Sequence, residues 1–473
     1  LPGFTTQWQS FLAGGGPAAF PRTSGTFGAN NLLLISIGGN DARSYQLGGG
    51  AQAGASAAAT VAAANATTGL NALVNAGART ISFLAGNTAT LPEVATNPAG
   101  QAVRNVYSTT FNTAMQQTLA GYANRGVVVH YLDLSAIGER ITANPGLYGL
   151  QSAGACPTPQ CATDPNFANR FLFYVDQVHL TSAGFAIVGQ YVARQLQAPL
   201  NLQAASDLSL DTARQFGRTL TTRVDLGSPR DGEVLDGARL FVVGDTFSRD
   251  VGATATNDAF DIDGAGVTGG MEFGSGNALV GVAVNYTRPK ASFGNASARV
   301  RGNTFQAGVY GGYALGPLFV QGHGAYGRGE LKISRAGVID ALTASPEATH
   351  YSLGAKVGFL APLGGVRVGP VVALDYAKAD VDGYTESGDR GLALTVADQS
   401  YSALVGGAGL ELRGDLEGGG VALRPYLSAM VEKDFQGDGR AAVWSQVVAH
   451  TIINRFFNDA ATTEIYTRVA GGG

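Results

Sequence analysis

The sequence predicts an α/β domain over residues 1–200, a linker helix over residues 201–234 and a transmembrane antiparallel β-barrel over residues 235–473. Two observations lead to this fold class. Up to about residue 200, short apolar runs alternate with helical stretches, which is typical of a layered α/β sheet. Beyond about residue 235, apolar residues recur at every second position, which is typical of strands with one apolar face.

Length and composition agree with more than one structural unit. A chain of 473 residues is long for a single hydrophobic core. Glycine accounts for 68 residues, and only 14% of the residues are charged. No uninterrupted apolar run reaches the roughly 18 residues that a membrane helix needs. The net charge of -4, without a block of Lys or Arg, argues against nucleic-acid binding.

The first unit contains the pattern of a parallel sheet covered by helices. We expect buried strands at 32–37, 80–85 and 127–132, each rich in apolar and β-branched residues. We expect helices at 57–76, 103–123 and 182–196. Strands and helices in alternation predict right-handed crossovers within one sheet.

The segment 204–226 is predicted to form the linker helix. Asp211, Arg214 and Arg218 are spaced three and four residues apart, so polar groups cover much of its surface. Such a helix suits a polar barrel interior better than lipid. An ordinary solvated connector is the alternative.

The last unit is predicted to contain about nine or ten strands of ten or more residues, separated by turns rich in Gly, Asp and Asn. One apolar face is formed by Val366, Val368, Pro370, Val372, Leu374 and Tyr376. Lipid offers no hydrogen bonds to an open sheet edge, so strands that cross a membrane close into a barrel. A soluble β-sandwich is the alternative, although its strands are usually shorter.

The two cysteines, Cys156 and Cys161, enclose a short loop that contains proline. This spacing favours a local disulfide in an oxidising compartment over two free thiols. A zinc site would require further Cys or His nearby, and the neighbouring sequence has none. We therefore expect no metal at this loop, and we predict no organic cofactor for the chain.

Two short motifs hold the candidate catalytic residues. Gly38-Gly39-Asn40-Asp41 follows the first strand, where the side-chain amide of Asn40 could donate to a developing oxyanion. Asp176 precedes His179 by three residues, so its carboxylate could orient a histidine base. Each motif alone is also compatible with an ordinary turn.

Together, these motifs resemble the later sequence blocks of the GDSL or SGNH hydrolases. The resemblance implies that Asn40 completes an oxyanion hole, that His179 is the general base and that Asp176 orients it. Esterases of this family are also known as the exported part of autotransporters, so the resemblance extends through the predicted barrel. It implies a cell-surface carboxylesterase or lipase in the bacterial outer membrane, with an ester or lipid substrate and with the barrel-assembly machinery as a partner.

The sequence departs from that family in one respect. No Gly-Asp-Ser triplet occurs in the 473 residues, and Ser10, Ser24 and Ser36 lack the exposed strand-to-helix turn of a nucleophile. The sequence also begins without an export signal and ends within a predicted strand. We expect the nucleophilic serine to lie outside this sequence, both ends to be truncated and this fragment to be inactive.

The sequence is also compatible with two other functions. A non-catalytic surface protein or adhesin could retain the fold without a nucleophile. A porin-like channel is also conceivable, but the polar linker helix would block its pore.

Overall fold

The computed structural model describes residues 3–16, 21–227, 235–414, 416–418, 421–436, 438–459 and 463–472. In chain order, its helices are α1 Phe4–Leu12, α2 Gly39–Leu47, α3 Gln52–Asn75, α4 Pro98–Ala123, α5 Leu134–Ala143, α6 Gln160–Thr163, α7 Pro165–Ala168, α8 Ser182–Gln197 and α9 Ala204–Gly227. The strands up to residue 200 are β1 Leu32–Ile35, β2 Thr80–Ala85, β3 Val128–Asp133, β4 Ser152–Ala155 and β5 Phe171–Phe173.

The remaining strands follow helix α9. They are β6 Leu235–Val251, β7 Phe260–Gly276, β8 Ala278–Phe293, β9 Ala298–Leu315, β10 Leu318–Arg335, β11 Leu342–Ala344, β12 Glu347–Phe359, β13 Ala361–Leu363, β14 Val366–Val381, β15 Tyr384–Thr385, β16 Leu394–Val396, β17 Gln399–Gly414, β18 Leu416–Gly418, β19 Val421–Asp434, β20 Asp438–Gln446, β21 Ala449–Asp459 and β22 Thr463–Gly472.

Strands β1, β2 and β3 form a parallel sheet in that order, which agrees with the predicted strands. The buried side chains of Ile81, Phe83 and Val129 belong to one core, which also includes residues of α3 and α4. Helix α4 begins at Pro98, and the side chain of Asn97 accepts a hydrogen bond from the backbone N–H of Gly100. A proline in the first turn and an Asn cap favour a helix start at this position.

Ten long antiparallel strands dominate the described residues beyond 235, in the order β22-β19-β17-β14-β12-β10-β9-β8-β7-β6. Their apolar faces point outward, as predicted: Val280, Val282 and Val284 are exposed on β8. Ala283 and Asn285 occupy alternate positions of the same strand and are buried on the inner face. A sheet that exposes its apolar side chains and buries its polar ones is built for lipid rather than water.

Helix α9 lies against the inner face of this sheet. Its residues Phe216, Leu220 and Val224 are buried in one cluster with Tyr310. Its carboxylate Asp225 pairs with Lys356 of β12 at 2.6 Å. The helix is therefore held by both apolar packing and ion pairs.

No helix within the described ranges is long and apolar enough to cross a membrane. The boundaries proposed at residues 200 and 234 stay predictions, and residues 228–234 of the predicted linker lie outside the described part of the chain. Cys156 and Cys161 are joined in a disulfide, as their spacing predicted.

Candidate active site

The first part of the site lies at the connection between β1 and α2. Gly38 has a φ of 89°, in the left-handed region that favours glycine, and it allows the chain to turn directly into the helix. The ring of Phe111 fills the space that a side chain at this position would need. Asn40 consequently lies in the exposed first turn of α2, beyond the carboxyl end of a parallel strand.

The second part of the site is the loop between β5 and α8. The ring Nδ1 of His179 lies 2.6 Å from Oδ2 of Asp176. The other carboxylate oxygen of Asp176 accepts hydrogen bonds from the backbone N–H groups of Val178, at 3.1 Å, and His179, at 3.0 Å. The carboxylate is thus fixed by three donors, and the side chain of His179 is 74% exposed while that of Asp176 is 43% exposed.

Hydrogen bonds fix both ends of this loop. The backbone N–H of Tyr174 donates to the carbonyl of His179 at 2.7 Å. The hydroxyl of Thr181 accepts from the N–H of Gly184 at 3.1 Å and donates to the carbonyl of Phe171 at 2.7 Å. Thr181 therefore caps helix α8 and ties the end of the loop to strand β5.

The electrostatics of the loop keep Asp176 ionised. Partial burial on its own would raise the pKa of this carboxyl, but the hydrogen bonds from His179 and from the backbone outweigh burial and hold the pKa below its ordinary value. A charged carboxylate on Nδ1 favours the tautomer whose Nε2 is free to accept a proton. Within the described residues, Nε2 of His179 has no hydrogen-bond partner.

An ion-pair network connects the two parts of the site. The carboxylate of Glu93 accepts from Nε of Arg43 at 2.9 Å and from Nη1 of Arg104 at 2.8 Å. Arg43 lies one helical turn after Asn40 in α2. The backbone N–H of Glu93 donates to the carbonyl of Gln177, between Asp176 and His179, at 3.2 Å. Asn40 and the Asp176–His179 loop therefore share one support.

Arg104 is the buried member of this network, with a fully buried side chain on α4. Its Nε and Nη2 atoms also donate to Oε1 of Gln46, at 3.0 and 2.9 Å. The hydrogen bond from Arg43 and the charges of both arginines hold the pKa of Glu93 below its ordinary value, against the opposing effect of burial. Glu93 is therefore ionised at neutral pH, between two arginines.

Sequence reasoning did not find this network. Glu93 follows β2 in the same way as Asn40 follows β1. This shared position at the carboxyl edge of the sheet could have indicated that Glu93 lies near the site. Arg104 gave no signal, because an arginine within a helix is usually solvated.

The other histidines and serines considered from sequence lie elsewhere. His130 is buried in β3, and burial lowers its pKa to about 4. His323 and His350 lie in strands β10 and β12. The side chain of Ser24 hydrogen-bonds locally with Thr26.

Ser10 lies in α1, and Ser36 follows β1. Neither they nor Ser24 hydrogen-bond to His179 in the described structure. Across the described ranges, no group of three or more His, Cys, Asp or Glu residues is arranged to hold a metal ion.

Comparison with known proteins gives two kinds of similarity. Residues 240–463 match the family model described as the autotransporter beta-domain. The esterases EstA of Pseudomonas aeruginosa and of Pseudomonas putida are each 25% identical to this chain over 348 residues, which cover 68% of this chain and 53% of each esterase. The chain thus spans about half the length of these curated relatives.

Two solved structures are also similar. The translocator domain of autotransporter NalP from Neisseria meningitidis has a TM-score of 0.43 and 20% identity, covering 57% of this chain and 85% of that chain. The beta domain of the Bordetella autotransporter Brka has a TM-score of 0.35 and 17% identity, covering 44% of this chain and 86% of that chain.

The family match coincides with the part of the chain where apolar side chains face outward and polar side chains surround a helix. This assignment puts the chain in the bacterial outer membrane, with its α/β unit exposed at the cell surface. Residues 240–463 are an autotransporter beta-domain, and the chain as a whole is similar to the two esterases.

Proposed function

We propose that this protein is a cell-surface serine ester hydrolase, a carboxylesterase or lipase that its beta-domain anchors in the outer membrane. The observation that carries the proposal is the 2.6 Å contact between Asp176 and His179, which leaves Nε2 of His179 accessible. The similarity to two esterases supports the same reaction class.

In the proposed mechanism, Nε2 of His179 accepts the proton of a serine hydroxyl as the serine oxygen attacks the ester carbonyl. Asp176 remains ionised and stabilises the imidazolium that forms. The side-chain amide of Asn40 donates to the oxyanion of the tetrahedral intermediate. His179 then gives its proton to the leaving alcohol, and water releases the acyl group by the same steps.

The proposal requires a nucleophilic serine in the motif Gly-Asp-Ser, which these 473 residues do not contain. The reading frame that encodes the chain should therefore contain this motif ahead of residue 1. We further propose an ester or lipid as substrate and assembly of the beta-domain by the barrel-assembly machinery.

The test uses the full product of that reading frame, displayed on cells, with p-nitrophenyl butyrate as substrate and a fluorophosphonate as covalent serine label. Asp176→Asn is expected to lower kcat/KM roughly 10⁴-fold, and Asn40→Ala roughly 10²- to 10³-fold. His179→Ala should abolish labelling. His450→Ala is the matched control, because His450 is an exposed histidine in hairpin β20–β21, outside the proposed site.

The same assay separates the hydrolase from an adhesin. Labelling that requires His179 supports the ester hydrolase. A protein that reaches the surface with the protease resistance of a folded α/β unit, yet shows neither hydrolysis nor labelling, contradicts the proposal.

A further inference from the structure

Strand β3 forms one edge of the parallel sheet, and within the described residues it pairs only with β2. An edge strand has a row of backbone N–H and C=O groups without ladder partners, and such groups are costly when they are buried. The outward-facing groups of β3 belong to Val129 and Tyr131, whose side chains are buried. This edge therefore needs hydrogen-bond partners that are not water.

Side-chain amides supply those partners. Asn454 of β21 accepts from the N–H of Val129 at 2.7 Å and donates to its carbonyl at 3.0 Å. Gln446 of β20 accepts from the N–H of Tyr131 at 2.6 Å, and Gln195 of α8 donates to the Tyr131 carbonyl at 3.0 Å. The amide of Asn454 thus makes the pair of bonds that a neighbouring strand would make.

The same hairpin contributes to the hydrophobic core of the α/β unit. Ala449 and Ile452 are buried in one cluster with Leu119 and Tyr122 of α4. Trp444 is almost completely buried, and its ring centroid lies 5.6 Å from that of His130 in β3. Strands β20 and β21 lie between β19 and β22 in the chain, so a segment of the beta-domain completes the core of the exported unit.

A second contact between the two units lies outside the hairpin. The hydroxyl of Tyr191 in α8 donates to Oδ2 of Asp389 at 2.5 Å, and both residues are buried. Nη2 of Arg140 in α5 lies 2.5 Å from Oδ2 of Asp340. Asp340 and Asp389 both belong to connections between long strands of the beta-domain.

We infer that the hairpin β20–β21 is a docking partner built into the beta-domain, which covers the open edge of β3 and keeps the α/β unit attached at the cell surface. The buried side-chain amides of the hairpin find their hydrogen-bond partners only when the two units meet. Docking is therefore specific, because separation would leave these amides without partners. The α/β unit consequently depends on the beta-domain for stability. This inference does not depend on ester hydrolysis.

The test measures amide hydrogen exchange of the peptide that contains β3, in the whole protein assembled in outer membranes. Asn454→Leu removes both hydrogen bonds to Val129 at similar side-chain volume. Exchange of the Val129 amide is expected to be about 10- to 100-fold faster. Thr451→Leu is the matched control, because Thr451 is exposed on the same strand and should leave exchange unchanged.

Attachment is measured separately, by adding protease to intact cells. The segment 198–203, which joins the α/β unit to α9, is buried in the native protein except for the half-buried Leu200. Asn454→Leu should expose it and release the α/β unit as a fragment, whereas the wild type and Thr451→Leu should retain it. Unchanged exchange at Val129 together with full retention would overturn the inference.

A second variant covers the case in which Asn454→Leu does not assemble. Gln446→Leu removes only the bond to Tyr131. It should accelerate exchange at Tyr131 and leave the beta-domain folded, as judged by its heat-modifiable migration in gels. If the Tyr131 amide exchanged at the wild-type rate in this variant, the hairpin would not be the edge partner of β3.

Discussion

The backbone N–H of Glu93 donates a hydrogen bond to the carbonyl of Gln177, and this bond joins the tip of the sheet to the loop that contains Asp176 and His179. The side chain of Glu93 meanwhile holds Arg43 on the helix of Asn40. One residue thereby fixes both proposed parts of the site.

Glu93→Gln should destabilise the α/β unit by about 3 kcal/mol, because the fully buried guanidinium of Arg104 would lose its carboxylate. Urea unfolding followed by tryptophan fluorescence measures this change, since the two tryptophans of the chain, Trp8 and Trp444, lie in α1 and in the docked hairpin. Glu139→Gln is the control, because Glu139 is exposed on α5. Equal midpoints for the two variants would show that the network contributes nothing to stability.

Stability should depend on pH in the acid range. The pKa values of Glu93 and Asp176 are lowered in the folded state, so each carboxylate contributes stability above its unfolded pKa, near 4. This contribution is lost as the pH falls through the lower folded values. Unfolding midpoints should therefore be level between about pH 7 and 5 and fall below about pH 4.

Asp176→Asn tests the assignment of this pH dependence. The variant should lose stability at pH 7 and show a shallower fall in acid, because the residue no longer titrates. A pH profile parallel to that of the wild type would assign the acid transition to other carboxyl groups.

Gly38→Ala should destabilise the α/β unit by about 2 kcal/mol or more, since the left-handed φ costs about 1–2 kcal/mol and the added methyl group meets the ring of Phe111. Gly121→Ala is the matched control in helix α4, where an added methyl group meets open space. It should stabilise by about 0.5–1 kcal/mol. Opposite signs in urea unfolding are the expected result, and equal effects would contradict it.

Asp225→Ala should loosen helix α9 within the beta-domain. Lys356 and Arg413 contact Asp225 at 2.6 and 2.9 Å, and Glu411 alone would then face both cations. We expect a loss of about 3–5 kcal/mol, seen as a lower temperature for the heat-modifiable shift in gels. Asp250→Ala, at an exposed position of β6, should leave that temperature unchanged.

A channel function can be tested on the same pair of variants. In the native protein, α9 packs against the inner face of the strands, so planar bilayers should show little conductance. Asp225→Ala should add transient openings. A large, steady conductance of the wild type would instead support a pore.

Local sequence patterns were enough to predict most of the strands and helices of this protein. Alternation in 366–376 gave strands with an apolar outer face, and the polar spacing in 204–226 gave a helix that suits a polar interior. The three-residue offset between Asp176 and His179 brought their side chains into contact. These predictions succeeded because each depends on residues close together in the chain, where backbone geometry fixes which side chains meet.

Only the tertiary structure decided which distant segments meet. Asn454 reaches Val129 across 325 residues, and Arg104 pairs with a carboxylate that no periodicity links to it. Such contacts depend on the packing of whole units and on the need of buried polar groups for partners, neither of which is encoded in a local pattern. The sequence therefore determined the strands, the helices and the two motifs of the proposed site, while packing alone decided that the beta-domain completes the edge of the α/β sheet.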